Sequence, residues 1–459
     1  MCTGQLSAMS ATSSRKLLID RRWDVKLRWL IVGSILGAIC TYSLIYVQQS
    51  DIVKLSLLSG NNGNSDVNQT LSVQTVKYPL HGYSKWPEFL TDTVLDITTF
   101  QHKCLINGLK SNGFFRFRRD EPNSTKTICK DIILAIENIY NISSSIADIN
   151  YPPEFEKKVK KWLGDQQLYN KALHQDLHFV FNKFSFEHTV YNPIRGKRPI
   201  TEPLISASSY ISELINQSSQ SCDFCNYKKF TATDPLGRFE SVHAFSASNA
   251  FKFDTWHSMF MPRQHNILNV TLEEFHDVYK LAWKWIRAVY KKSPLHQFPV
   301  LLFDMFPHGG ASQVHPHIHA AVNSHHYYGQ FESIRSASEI FYREYKINYF
   351  QQLQDIHMAL NLTLSLGGIT VIVPITSKKE YDIILLAENF DERIVTVIYQ
   401  IIQGYFHRLK QYSFSSCLYL PPLSHDESGI PPVYFRIIPR GHVQNVQSEI
   451  SSLELLSVN

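Results

Sequence analysis

The sequence predicts an α+β protein: two similar sheet-and-helix halves packed together, preceded by a helical region and an N-terminal transmembrane helix. Three observations lead there. A rhythm of short apolar runs, a helix and further short apolar runs occurs twice after residue 189, the signature of a duplicated layered unit. One uncharged apolar run stands near the N-terminus. With 44% hydrophobic, 13% aromatic and 19% charged residues in 459, the remainder can bury a sizeable core and is neither disordered nor fibrous.

The elements follow in chain order. Residues 1–28 form a basic tail, with Arg15, Lys16, Arg21, Arg22, Lys26 and Arg28 against Asp20 and Asp24. Residues 29–47 are nineteen without a charge, long enough to cross the hydrocarbon as a helix. The cations before the span keep the N-terminus cytoplasmic. The expectation is a single-pass type II membrane protein, its catalytic part lumenal (ER or Golgi) or extracellular. A cleaved signal peptide is the competing reading, but the run exceeds the usual apolar core of such peptides and no small-x-small site follows it directly.

Composition excludes two classes. Lys+Arg 45 against Asp+Glu 40 leaves only +5, too little for an electrostatic nucleic-acid binder. Seven cysteines are too few for a small disulfide scaffold. Six N-x-S/T sequons, at Asn68, Asn123, Asn141, Asn216, Asn269 and Asn361, all follow the span, as a glycoprotein would require. Cys104, Cys129, Cys222, Cys225 and Cys417 share that side, and the odd number leaves a thiol unpaired unless some bind metal; Cys104 with Cys129 is a plausible bridge.

Residues 48–76, rich in Ser, Asn and Gly, form a stem. Residues 77–188 read as mostly helical, with no catalytic motif. Residues 189–345 make the catalytic half. There Thr271-Leu-Glu-Glu274 is a capping box, and Phe275, Val278, Tyr279, Ala282, Trp285, Ile286 and Val289 recur at helical spacing. Strands are expected at 299–305 and 314–322, around a turn bearing Gly309 and Gly310. Residues 346–459 repeat the pattern with strands near 369 and 382, a helix over about 391–411, and two final strands, CLYLPP and VYFRIIP.

His315, His317 and His319 alternate with Pro316, Ile318 and Ala320. On a strand, alternate residues share a face, so three imidazoles line one surface. Neutral imidazole can attack phosphorus and split a phosphoryl or nucleotidyl transfer into two steps. Gly309 and Gly310 let main-chain N–H groups approach an anion.

The segment from Asp304 to His319, DMFPHGGASQVHPHIH, resembles the active-site segment of the histidine-triad (HIT-like) superfamily, most closely its galactose-1-phosphate uridylyltransferase branch. Tyr191-Asn-Pro, Arg198-Pro, Cys222-Asp-Phe-Cys225 and the run from Ser258 to His265 resemble further elements of that branch, so the resemblance covers roughly 190 to 455. It implies His317 as nucleophile and a structural zinc held by Cys222, Cys225, His265 and His315. It also implies Ser312 as hydroxyl donor to the transferred phosphate, and Arg195 and Arg198 as holders of its charge. A disulfide between Cys222 and Cys225, His257 as an alternative ligand, and a surface basic turn for the two arginines stay open. The family further implies a nucleotide or nucleotide-sugar substrate and a homodimer.

Two positions depart from the branch. His319 stands where it has Gln, and a third histidine there is typical of the superfamily's nucleotide hydrolases. Asp304 stands where it has Asn near the nucleotide phosphates, and a carboxylate there repels phosphate unless protonated or turned away. The final strand lacks the family's histidines, so no second metal site is expected and His442 reads as a surface residue. The expected activity is a nucleotidyltransferase or phosphorylase acting on a nucleoside diphosphate sugar, with a HIT-type hydrolase or a catalytically inactive nucleotide-binding protein as alternatives.

Overall fold

The structure, a computed structural model, describes residues 123–192, 194–197, 205–424 and 431–444. The expected cytoplasmic tail, membrane helix and stem lie outside the described residues. Among the described residues no helix is long and apolar enough to cross a membrane.

The first described elements are α1 (Asn123–Ile139), β1 (Tyr140–Asp148), α2 (Pro153–Leu163), α3 (Gln166–Leu173), β2 (His174–Asn182) and β3 (His188–Tyr191). The three strands form an antiparallel sheet in the order β1-β2-β3. Within the described part of 77–188, strands that the periodicity did not mark lie between the helices. α1 and α2 fall where periodicity placed them, but Tyr140–Asp148 and His174–Asn182 pair along their full lengths. The serine run of β1 has no apolar alternation to mark it, and its partner supplies the strand through tertiary context.

Next come α4 (Ala207–Ser219), the single turn α5 (Tyr227–Phe230), β4 (Ala244–Ser248), β5 (His257–Pro262), α6 (Leu272–Lys292), β6 (Phe298–Met305) and β7 (Ile318–Asn323). They are followed by α7 (Gly329–Tyr345), α8 (Tyr349–Ala359), β8 (Thr363–Leu366), β9 (Ile369–Ile372), β10 (Ile383–Ala387), α9 (Glu392–Gly404), β11 (Phe414–Tyr419) and β12 (Val433–Pro439). The α+β class holds. The two halves share one continuous antiparallel sheet of nine strands, ordered β4-β5-β7-β6-β11-β12-β10-β9-β8, so β6 against β11 is the seam.

The period-two alternation of the strands sorts their side chains into two cores. Leu301, Phe303, Ile318, Ala320, Leu385 and Phe435 face α6 and α9. Val300, Ala321, Ile384, Leu386, Tyr419 and Tyr434 face α1, α7 and α8. α6 begins at the capping box, in which Thr271 and Glu274 bond each other's backbone, and buries all seven residues of the expected stripe. Each such apolar side chain contributes about 1.5–3 kcal/mol on leaving water.

β7 starts later than the sequence suggests. Pro316 has no N–H to give a ladder, so His315 and His317 sit in the approach to the strand and only His319 lies in it. The three-stranded sheet is fastened to the large one by polar contacts: Tyr191 Oη donates to the Ile375 carbonyl and Thr189 Oγ1 to the Ser377 carbonyl, both at 2.7 Å. Deeper in, Arg436 of β12 donates through Nε to Asp382 at 2.9 Å and through its terminal nitrogens to Asp382, Glu187 and Gln330.

Removing that arginine leaves two acids without their buried counter-charge. Arg436→Ala is expected to lower stability by about 3–5 kcal/mol, read as a shift of the urea midpoint; an unmoved midpoint would show that the network carries no such weight.

Candidate active site and metal centre

Three separate segments converge on one point. Cys222 and Cys225 come from the turn after α4, His265 from the loop after β5, and His315 from the approach to β7. One donor atom of each lies within 4.8 Å of all the others. Nδ1 of His265 is 3.2 Å from Nδ1 of His315, Sγ of Cys222 is 3.5 Å from His315 Nδ1, and Sγ of Cys225 is 3.5 Å from His265 Nδ1 and 3.7 Å from His315 Nδ1. A tetrahedral ion with ordinary Zn–N and Zn–S bonds would separate two nitrogens by about 3.3 Å and a nitrogen from a sulfur by about 3.6 Å. The cluster fits a closed four-coordinate metal such as zinc, and both cysteines are free thiols rather than a disulfide.

The outer nitrogens decide which face each ring presents. His315 Nε2–H donates to the Pro262 carbonyl at 2.8 Å. His265 Nε2–H donates to Ser218 Oγ at 3.1 Å, and that hydroxyl passes its own proton to the Ile215 carbonyl at 3.0 Å. Both Nδ1 lone pairs are thereby aimed inward, the usual outer support of a metal-bound histidine. Burial, reinforced by Cys222, pushes the Cys225 thiol up to about 11, and a bound dication is the charge that reverses such a shift. His257, the alternative ligand, stands apart from this cluster and bonds His319 instead.

His317 is buried, 3% exposed, with Phe224 edge-on at 5.4 Å. Its Nδ1–H donates to the His315 carbonyl at 2.9 Å, which leaves Nε2 with the lone pair. The rings of His317 and His319 lie 5.0 Å apart. Burial lowers the pKa of every imidazole here: His257 and His315 to about 4, His319 to about 3, and His317 below its ordinary value. All are neutral near pH 7, the state a nucleophilic imidazole needs.

The loop before His315 departs from the expectation for its glycines. The Gly309 amide donates to the Phe306 carbonyl at 2.9 Å, Gly310 to Pro307 at 3.0 Å, and Ala311 to Phe306 at 3.1 Å, so these N–H groups close the turn and do not offer themselves to an anion. Gly309 is required by packing: a Cβ there would meet the Phe414 carbonyl oxygen at 2.8 Å and Ser413 Oγ at 3.0 Å. Gly310 is required by its φ of +102°. Phe306, buried, holds φ 64° and ψ 161°, a backbone region costly for any side chain. Ser312 is exposed on the same loop.

The carboxyl of Asp304 lies beneath Gly310, 4.0 Å from where its Cβ would be. Burial raises the Asp304 pKa, partly offset by Ser415 and Arg440, so the carboxyl has a cationic neighbour. Arg195 lies exposed in a short turn after β3, and among the described residues no hydrogen bond or ion pair joins it to the histidines; Arg198 lies outside the described residues. Sequence reasoning missed Asn249, Ser218 and the strained Phe306, which act through an amide, a hydroxyl and a backbone angle.

No protein-family model matches the chain, and no curated protein matches it. Among solved structures, an ADP-glucose phosphorylase from Arabidopsis thaliana with bound ADP-glucose resembles it at 12% identity over 55% of this chain and 85% of that one, with TM-score 0.43. A galT-like protein from the same plant gives 12% identity over 51% and 85%, TM-score 0.42. A uridylyltransferase gives 11% identity over 56% and 85%, TM-score 0.36. These neighbours belong to the galactose-1-phosphate uridylyltransferase branch of the HIT-like superfamily. The similarity concerns the course of the chain; the chemistry is argued from the side chains.

The donor set predicts one tightly bound metal ion per chain, zinc being the usual occupant of two thiolates and two imidazoles. Elemental analysis is expected to find it in the purified protein and to lose it in Cys222→Ser. Because the ligands must be deprotonated, protons displace the ion as pH falls. Metal-free protein carrying a Cys222–Cys225 disulfide would refute this.

Proposed function

We propose that the chain is a nucleotidyltransferase or phosphorylase acting on a nucleoside diphosphate sugar or a related nucleotide through a covalent nucleotidyl-His317 intermediate. The observation that carries this reading is the hydrogen bond from His317 Nδ1–H to the His315 carbonyl. It fixes one tautomer and leaves Nε2 as a lone pair on a neutral, immobilised ring, the requirement for attack on phosphorus. Zinc, when bound, supplies a cross-link: it holds the His315 ring, and the backbone of that residue orients His317.

In the first step Nε2 of His317 bonds to the α-phosphorus and the sugar phosphate departs with the electron pair of the broken P–O bond. In the second, inorganic phosphate, another sugar phosphate or water takes the nucleotidyl group and frees the ring. In this reading Ser312, exposed on the loop before His315, offers its hydroxyl to the transferred phosphate. Asp304, whose pKa burial raises and which has Arg440 as a neighbouring cation, is less hostile to a phosphate than an exposed carboxylate would be. A hydrolase reading is favoured by one observation, the third imidazole at His319, and differs only in the acceptor.

Incubation of the protein with α-phosphorus-labelled nucleotide sugars is expected to give an acid-labile, base-stable protein label that His317→Ala abolishes. Absence of label, or label that survives the substitution, ends the covalent reading, and tight nucleotide binding without label would instead identify a binding protein. Products formed with and without phosphate separate transfer from hydrolysis.

We further place the catalytic part in the lumen or outside the cell, anchored by residues 29–47. In support, the sequon asparagines Asn141, Asn216, Asn269 and Asn361 are all exposed, as glycan acceptors must be. Protein from a secretory host is expected to lose mass on treatment with an N-glycosidase; unchanged mass would argue against this side.

A further inference from the structure

Beside His317 lies a pair of imidazoles that the transfer step does not use as nucleophile or ligand. Across β5 and β7 the register sets His257 opposite Ala321 and Met259 opposite His319, which makes His257 and His319 diagonal neighbours on one face. Nε2 of His257 is 2.9 Å from Nδ1 of His319. One proton fits between them, and its owner is fixed from outside.

The Phe253 backbone N–H points at His257 Nδ1, 3.4 Å away. That nitrogen therefore carries a lone pair, and the single proton of the neutral ring is on Nε2, donated to His319. Asn249 imposes the same direction. Its Oδ1 accepts from the Phe251 N–H at 2.8 Å, which orients the amide, and its Nδ2 stands 3.5 Å from His319 Nδ1. The 3.4 Å between Asn249 Nδ2 and His257 Nε2 is the spacing of two donors converging on one acceptor. His319 Nδ1 thus receives, and the ring's own proton is on Nε2. An imidazolium at His319 would turn a third N–H against those two donors.

We infer that Asn249, Phe253 and His257 lock His319 as a neutral hydrogen-bond donor that cannot serve as an acid, and that the site therefore takes substrates whose leaving group departs as a phosphate anion. The inference rests on the reading of His317 as nucleophile. When His317 Nε2 bonds to phosphorus, the P–O bond to the sugar phosphate breaks and its electrons stay on the departing oxygen. A hydrogen bond from His319 Nε2–H meets that charge, and no proton changes owner.

An amine leaving group differs. As the P–N bond of a nucleoside phosphoramidate breaks, the nitrogen must gain a proton. His319 can give one only if His257 reprotonates it, and His257 would then be an imidazolate, because the next donor in line is a backbone amide. His257 and Asn249 are positioning residues that exclude this class.

The test uses the full-length, metal-loaded protein in detergent, with α-phosphorus-labelled UDP-glucose and ADP-glucose against the morpholidates of UMP and AMP. The nucleotide sugars are expected to label the protein at least about 100-fold faster than the morpholidates, the size of effect that general acid catalysis commands. Asn249→Asp, which sets an acceptor against His319 Nδ1, is expected to narrow that ratio by about tenfold or more with metal content retained. Morpholidates that label as fast as nucleotide sugars overturn the inference, and so does an unchanged ratio in the folded, metal-loaded variant. No label from any donor overturns the reading of His317 itself.

Discussion

The site depends on the junction of four soft donors at Cys222, Cys225, His265 and His315. Its members come from three segments that the sequence keeps far apart, and what brings them together is the pairing of β5 with β7 plus the turn after α4. The consequence reaches beyond the metal. His315 has two jobs, its ring in the cluster and its carbonyl as the acceptor that holds the His317 ring. Anything that fixes the first also fixes the second, so an ion held by the cluster would steady the His317 ring without touching it.

Around that junction the polar groups are arranged by direction rather than by strength. Hydrogen bonds from Nε2 turn His265 and His315 towards the cluster, a bond from Nδ1 leaves the lone pair of His317 on Nε2, and two amides set the sense of the His257–His319 pair. None of these contacts is worth much alone, about 0.5–1.5 kcal/mol net. Together they leave each ring one tautomer. Burial strengthens the effect by holding every ring neutral, so that direction of donation is the variable left to the protein.

Much of this was legible in the residues. The His-Pro-His run, the Cys-x-x-Cys pair and the histidine after β5 are separate motifs, and it was the family resemblance, not the periodicity of any element, that implied their convergence. The sheet of β1 to β3 was not legible, because Ser143, Ser144 and Ser145 carry no apolar alternation. The role of the glycines was read half correctly: a turn was evident, but whether Gly309 faced a ligand or a neighbouring strand depends on β11, more than a hundred residues away. The grip of Phe253 on His257 runs through a main-chain N–H, a group every non-proline residue has, so no residue type announces it. Asn249 was hidden differently, by the absence of any motif around it.

The seam between β6 and β11 also supports the site. The carbonyl of Phe414 presses on Gly309, Ser415 Oγ donates to the Gly309 carbonyl at 3.1 Å, and His308 donates to the carbonyl of Arg440 at 2.8 Å. The C-terminal half therefore forms the back wall of the loop that leads to His315 and His317. A side chain altered on β11 is therefore felt in that loop through direct packing.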